Sequence, residues 1–280
     1  MGFAVVKNDY DTGTYDTDKC DNVIYVNFHR KKNGEIDHRF GKKPERKRPN
    51  DLVLNQTMEC LYNREEILSV YNVFKSKVDN AASLAKEMIA RRNLCMFVAA
   101  INLGLRAGDL CRLKWLNIFD SQWKYMNEPG FIPEKTRRKN NDDTVKLSWN
   151  TDFEIELSKF LEWKNKYIKN QTLDDYIFTT QKPHYDKDLK RDVDHIEPKE
   201  WWRIMEKTRK EAGIKQKIGT HGLRKTMVHS YIMEAEDRED GMCDMQDHLK
   251  HESRRTTTKY SCMDKGKIKR GKQRFAYIHG

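Results

Sequence analysis

From Met58 to about Leu113 the apolar residues recur at helical intervals. Within NLCMFVAAINLGLRAGDLCRLKW, Leu94, Phe97, Val98, Ile101 and Leu105 occupy the i, i+3, i+4, i+7 and i+11 positions of one helix face. Gly104 predicts the end of that helix, and Ala107–Leu113 reads as a short second one. The period then changes. WLNIF (115–119), WKYM (123–126), GFIP (130–133) and TVKLS (144–148) are short, apolar and rich in β-formers, which predicts strands, with KTRRKNNDD as the turn before the last. Helical patterns return at 152–168 and 198–212, with a short strand YIFTT (176–180) between them. Two more helices are predicted at about 221–236 and 242–250, before a final one around Tyr260. Upstream, NVIYVNFH (22–29) alternates as a strand, and Asn33-Gly34 predicts a hairpin turn into EIDHRF. The expected fold class is mainly α with one small antiparallel β-sheet (α+β).

Composition narrows the class. The chain has 280 residues, 37% of them hydrophobic and 35% charged, which suits a soluble protein of one large domain or two small ones. No run approaches the length of a membrane span, and the N-terminus lacks the pattern of a secretory signal. Cysteines 20, 60, 95, 111, 243 and 262 form no CxxC pair and no spacing with histidine, so neither zinc nor a disulfide framework is expected. A reducing cytoplasm is the expected location.

Charge is distributed unevenly. The net charge is +11, yet residues 29–50 hold nine Lys/Arg against three acids and residues 265–274 hold six against none. The rest of the chain is close to neutral. Three regions follow: an arm with a possible hairpin and basic linker (1–57), a body (58–264) and a basic tail (265–280). Basic arms of this kind bind polyanions by releasing counterions from phosphates, although a solvated linker and tail would have the same composition. Arg30, Lys31, Lys32, Lys42, Lys43, Arg46, Lys47 and Arg48 are the candidate phosphate contacts in the arm, and Lys139 is one in the body.

Three stretches of the body carry candidate chemistry. Arg106, in GLRAGDLCRL, follows a helix end in apolar company, where a guanidinium needs a carboxylate or a phosphate; Asp109 is the nearby carboxylate. In THGLRKTMVHS, Thr220 can cap a helix, and His221 and Arg224 are three residues apart, so they share a face. HLKHESRRTTTKY has His251 at the end of a helix, threonines that can cap the next, and Tyr260 early in that next helix. Each stretch alone is also compatible with a purely structural role: a salt bridge, a helix start, a packed tyrosine.

In this order the three stretches resemble the active-site pattern of the tyrosine recombinase/integrase family. GLRAGDLCRLKW is similar to the family's Gly-Leu-Arg-x-x-Glu-Leu-x-x-Leu-x-Trp, HGLRKT to its His-x-x-Arg box, and HLKHESRRTTTKY keeps the family's separation of histidine from tyrosine. The family's hairpin lysine, typically in Lys-Thr, is matched by Lys135 in EKTRRKNNDDTVKLS. Lys250 departs from the glycine usual before the third-box histidine, and Asp109 from the commoner glutamate. The resemblance covers about residues 58–264. Family members normally carry a helical core-binding domain upstream, for which residues 1–57 are too few, leaving a minimal recombinase, a fragment or reliance on the basic arm.

The resemblance implies the tyrosine recombinase catalytic-domain fold. It implies cleavage and rejoining of double-stranded DNA through a 3′-phosphotyrosine, with neither ATP, metal nor other cofactor, by subunits that assemble as a tetramer at synapsis. Arg106, Arg224 and His251 would stabilise the charged phosphorus, Tyr260 would attack, His221 would accept its proton, and Lys135 would protonate the departing 5′-oxygen. A type IB topoisomerase-like enzyme and a non-catalytic DNA-binding relative are the alternatives. If the arms dominate non-specific affinity, deleting residues 1–50 makes the slope of log K against log salt shallower by about 0.9 for each phosphate the arm reaches. An unchanged slope in salt titrations would assign the contacts to the body.

Overall fold

The computed structural model describes residues 3–6, 12–16, 24–27, 58–134, 144–168, 170–186, 189–250 and 253–262. The chain falls into two units, Met1–Asn55 and Gln56–Gly280. In the first, β1 (Phe3–Val6), β2 (Thr12–Asp16) and β3 (Ile24–Asn27) form an antiparallel sheet in sequence order, with Val5 opposite Thr14 and Gly13 opposite Val26. The strand expected at 22–29 is therefore present as β3, but it pairs with β2. EIDHRF, its expected partner, lies outside the described residues.

In the second unit, polar residues fix where the helices begin. Asn63 accepts the backbone N–H of Glu66 at the start of α1 (Arg64–Asp79), and Ser83 accepts that of Lys86 at the start of α2 (Leu84–Leu103). These caps satisfy donors that have no partner inside a helix. After α3 (Ala107–Cys111), Asn150 caps α4 (Thr151–Tyr167), and Pro198 opens α5 (Pro198–Glu211). Three more helices follow among the described residues: α6 (Thr220–Glu234), α7 (Arg238–His248) and α8 (Arg254–Ser261).

Helix α2 is the central element. It packs against α1, α4 and α6, and Leu94 through Ala100 are all buried. Phe97 is fully enclosed, its ring 5.5 Å from Phe74, which stacks in turn on Trp201 of α5. A second cluster joins the last helices: Met227, Val228 and Ile232 of α6 pack with Met242 and Met245 of α7 and with Leu249, and Tyr260 of α8 rests against them. Burial of such side chains is worth about 1.5–3 kcal/mol each. This cluster sets where α8 lies.

The fold is mainly α with small antiparallel sheets. Where one sheet was expected in the body, the described residues form two separate two-stranded antiparallel sheets: β4 (Gly130–Phe131) with β5 (Val145–Lys146), and β6 (Thr179–Asp186) with β7 (Arg191–His195). WLNIF is not a strand but a 3-10 turn at Trp115–Asn117, followed by a single bridge from Phe119 to Tyr125. Its aromatic residues meet the apolar pattern of a strand by packing into a cluster with Trp123 and Phe160, with no ladder needed. In YIFTT, residues 176–178 are buried and the strand proper begins at Thr179. Strand β7 had no apolar alternation to betray it, because three of its five residues are exposed. Helix α7 begins four residues before its expected start, since Asp237 accepts the N–H groups of Glu239 and Asp240.

Phe97→Ala is expected to cost about 3–5 kcal/mol in denaturant unfolding, because it opens a cavity in the middle of α2. Leu84→Ala, at a position 48% exposed, is expected to stay within about 0.5 kcal/mol.

Candidate active site

Gly104 ends α2 with φ +58, a left-handed conformation that favours glycine. A Cβ there would also lie 2.0 Å from Cε of Met227. The turn does two things. It delivers Arg106 as the residue before α3, and it aims the Gly104 carbonyl at α6, where Nη1 of Arg224 donates to it at 2.5 Å. Arg224 is buried, and among the described residues its Nε has no hydrogen-bond partner. Burial first, then the like charge of Arg106, push its pKa down to about 10, with Tyr260 and Asp109 acting in the other direction. Arg224 remains a cation at neutral pH.

Arg106 and Asp109 do not pair. Among the described residues no carboxylate lies within ion-pair distance of Arg106, whereas Oδ1 of buried Asp109 accepts the backbone N–H of Glu134 at 2.8 Å. Burial raises the Asp109 pKa, opposed by that hydrogen bond and by Arg106 and Arg224. The salt bridge that would have given Arg106 a structural role is absent. Two guanidinium groups thus lie close together with too little counter-charge, an arrangement that costs energy until an anion arrives.

Tyr260 meets this pair. Its ring packs edge-on against His221 with centroids 4.9 Å apart, and the Arg224 guanidinium carbon lies 5.8 Å from its centre. Tyr260 lies in the last turn of α8, not near its beginning as expected, because Ser253 starts the helix and the threonines fall inside it, with Thr257 fully buried. His229 anchors that last turn by donating from Nδ1 to the Ser261 carbonyl at 2.7 Å. At the other end of α8, Arg254 pairs with Glu239 of α7.

His221 is the second residue of α6 and is solvent-exposed at its rim. Its pKa is lowered, first by partial burial and then by Lys225, Arg224 and Arg106. Lys225 was not singled out in the sequence. It is buried and donates to the Met58 carbonyl at 2.7 Å, and it lies one helical turn after His221 on α6. His248, at the end of α7, also has a pKa lowered by burial and by Arg224.

The structure thus brings together Arg106, His221, Arg224 and Tyr260. Lys135, Lys139, His251 and the arm residues Arg30, Lys31, Lys32, Lys42, Lys43, Arg46, Lys47 and Arg48 lie outside the described residues. Among the described residues no group of His, Cys, Asp and Glu is arranged to hold a metal, and no helix is long and apolar enough to cross a membrane. A cavity of about 550 Å³ lined by Tyr62, Tyr71, Phe97 and Met233 contains none of the four clustered residues.

Residues 73–266, more than half of the chain, match the Phage integrase family. The chain belongs to that family. Its fold is similar to that of the XerA recombinase crystal structure, with a TM-score of 0.52 and 18% identity over 79% of this chain and 67% of that one. It is also similar to the XerH site-specific recombinase bound to palindromic difH substrate in a post-cleavage complex, with a TM-score of 0.54 and 18% identity over 77% of this chain and 52% of that one. A pre-cleavage XerH complex with difH gives 0.51 and 16%, over 72% and 51%. The chain therefore spans about half the length of the XerH proteins. At these identities the likeness establishes the fold, that of the tyrosine recombinase catalytic domain. No curated protein matches the chain by sequence.

The lowered His221 pKa fixes the sign of a pH effect. The ring stays neutral to a lower pH than an ordinary histidine, whose pKa is about 6.5, so a step that needs it as a base should keep its rate down through that value and fall only at more acidic pH. An NMR titration of the His221 ring in the DNA-free protein would check the shift, and a midpoint at or above 6.5 would contradict it.

Proposed function

We propose that this protein is a site-specific DNA recombinase or integrase that cuts and rejoins strands through a covalent 3′-phosphotyrosine. The observation that carries the reading is the meeting of Tyr260 with His221 and Arg224, where a buried guanidinium keeps an unpartnered Nε. A phosphodiester satisfies both needs of this arrangement. Its non-bridging oxygens accept from Arg106 and Arg224, and its phosphorus is open to the Tyr260 oxygen.

In the proposed step the Tyr260 oxygen bonds to phosphorus while the bond to the 5′-oxygen breaks. The phenol proton passes to neutral His221, and Lys135 donates a proton to the departing 5′-oxygen. Negative charge grows on the non-bridging oxygens, where fixed cations help most because they are already oriented. His251 supplies a further donor. The phosphotyrosine ester conserves the energy of the original bond, so a 5′-hydroxyl from another strand can reverse the step without ATP. Exchange between two duplexes calls for a tetramer on DNA, and the basic arm and Lys139 contribute phosphate contacts.

Tyr260→Phe should abolish covalent trapping on a nicked suicide substrate while leaving DNA affinity nearly unchanged, since affinity rests on many phosphate contacts. A denaturant-resistant complex formed by the Phe variant would remove Tyr260 from the role. Arg224→Lys, which keeps the charge but loses the planar fork, should slow trapping by about 10²–10³-fold, the usual effect of removing one oxyanion donor.

A further inference from the structure

Two cysteines that no step of the proposed reaction uses lie side by side at the end of the helix that carries Tyr260. Cys60 stands just before α1 and is fully buried, whereas Cys262 caps the C-terminus of α8, partly exposed and left-handed at φ +55. Helix α6 draws their backbones together. Thr226 Oγ1 accepts the Leu61 N–H at 2.9 Å, and Lys225 Nζ donates to the Met58 carbonyl at 2.7 Å. One turn after Lys225, His229 stands between the two segments, with Nδ1 2.7 Å from the Ser261 carbonyl and Nε2 3.2 Å from the Tyr62 carbonyl. A single imidazole thus reaches from the residue before Cys262 to the second residue after Cys60. The side chains are neighbours as well. The Cys262 side chain, then burial, pushes the Cys60 thiol pKa up, with Lys225 opposing. Burial and the hydrogen bond to Glu59 raise the Tyr62 pKa, and both cysteines add to that shift.

The two thiols differ in access. Burial and its neighbour hold Cys60 protonated, while Cys262 is the sulfur that solvent reaches, so Cys262 is suited to attack and Cys60 to resolve. We propose that Cys60 and Cys262 are a reversible redox pair, closed to a disulfide by a small soluble disulfide such as oxidised glutathione, and that closure slows DNA cleavage by displacing the end of α8. In the first step the Cys262 thiolate bonds to one sulfur of the oxidant, the oxidant's S–S bond breaks, and a glutathione thiolate leaves and takes up the proton that Cys262 lost. Cys60 then gives up its proton and attacks the Cys262 sulfur, which releases the second glutathione as a thiol. Two protein thiols lose two electrons, and one oxidant disulfide gains them. In a reducing compartment the pair rests open.

Closure must move one sulfur towards the other, because a covalent bond is shorter than a contact. The Cys60 segment is held by the bonds of Met58, Leu61 and Tyr62 to α6 and by the Glu59 N–H, which donates to the Lys217 carbonyl at 2.9 Å. The movement therefore falls on the end of α8, against the His229 contact that anchors its last turn. Tyr260 is two residues before Cys262 in that turn. Displacing a reacting group by about 1 Å can cost about 10²-fold.

The test uses the full chain carrying Cys20→Ser and Cys243→Ser, which removes the exposed Cys243 and the one cysteine outside the described residues. The protein is incubated with oxidised or reduced glutathione, its remaining thiols are alkylated, and its peptides are mapped by mass spectrometry; the same samples are scored for trapping on a nicked suicide substrate. A peptide joining Cys60 to Cys262 should form with oxidised glutathione only, and trapping should slow by about 10–100-fold and recover with dithiothreitol. Cys262→Ser in that background should trap DNA at the same rate with either glutathione. Cys60→Ser should stop at the glutathione adduct of Cys262, and it serves as the control if Cys262→Ser does not fold. Glutathione adducts without the joined peptide, or no modification, overturn the pair. A joined peptide with unchanged trapping overturns the effect on cleavage, as does an equal loss of trapping in Cys262→Ser. That effect rests on Tyr260 as the nucleophile. If the reduced protein traps no DNA, the Tyr260 reading fails and the effect on cleavage with it, and the peptide alone decides the redox pair.

Discussion

Arg224 is a buried cation with too few partners, and the surrounding structure is arranged to hold it that way. One N–H goes to the carbonyl of Gly104, the residue where α2 turns left-handed, while Nε has no partner among the described residues. A charge withdrawn from water without full hydrogen bonding costs several kcal/mol, which the packed helices around it must offset. They can, because α2 and α6 are in contact and both carry buried apolar residues, Val98 and Leu103 on α2 and Leu223 and Val228 on α6. The strain is local and the packing that tolerates it is broad.

This one contact also orders the neighbouring groups. Since Gly104 is both the end of α2 and the acceptor for Arg224, the residue two places later, Arg106, is brought to the same place from a different element. The pair then acts on what surrounds it. Burial first, and then Lys225 and the two arginines, lower the pKa of His221, so a neutral base and fixed cations coexist. The Met227–Met245 cluster and the His229 contact to Ser261 fix α8, so that Tyr260 faces the same spot. Ordering these groups before a substrate arrives is what makes them effective on a transition state, because no reorganisation is then needed.

Much of the fold was legible because long helices announce themselves. The spacing of Leu94, Phe97, Val98, Ile101 and Leu105 located α2, and Gly104 marked its end. The short strands were less legible. WLNIF has the composition of a strand but is a 3-10 turn, as aromatic residues bury themselves in a cluster equally well without a ladder. Strand β7 is mostly solvated and carries no alternation. Tyr260 was recognised from its distance to His251, but its place in the helix was misjudged, because Ser253 and not a threonine begins α8.

The sequence by itself determined the helical class, the apolar face of α2, the turn at Gly104 and the identity of the residues now grouped as Arg106, His221, Arg224 and Tyr260. Each of these follows from local spacing or from the ordered pattern of short motifs, which the chain carries whatever its fold. Only the tertiary structure decided which polar atoms lack partners. That Asp109 turns from Arg106 to the Glu134 N–H, that Arg224 takes the Gly104 carbonyl and that Arg112 links Asp186 to Glu134 are facts about residues 25, 120, 74 and 22 positions apart. Hydrogen-bond accounting is a property of the folded interior, where water is excluded and each group has a fixed set of neighbours.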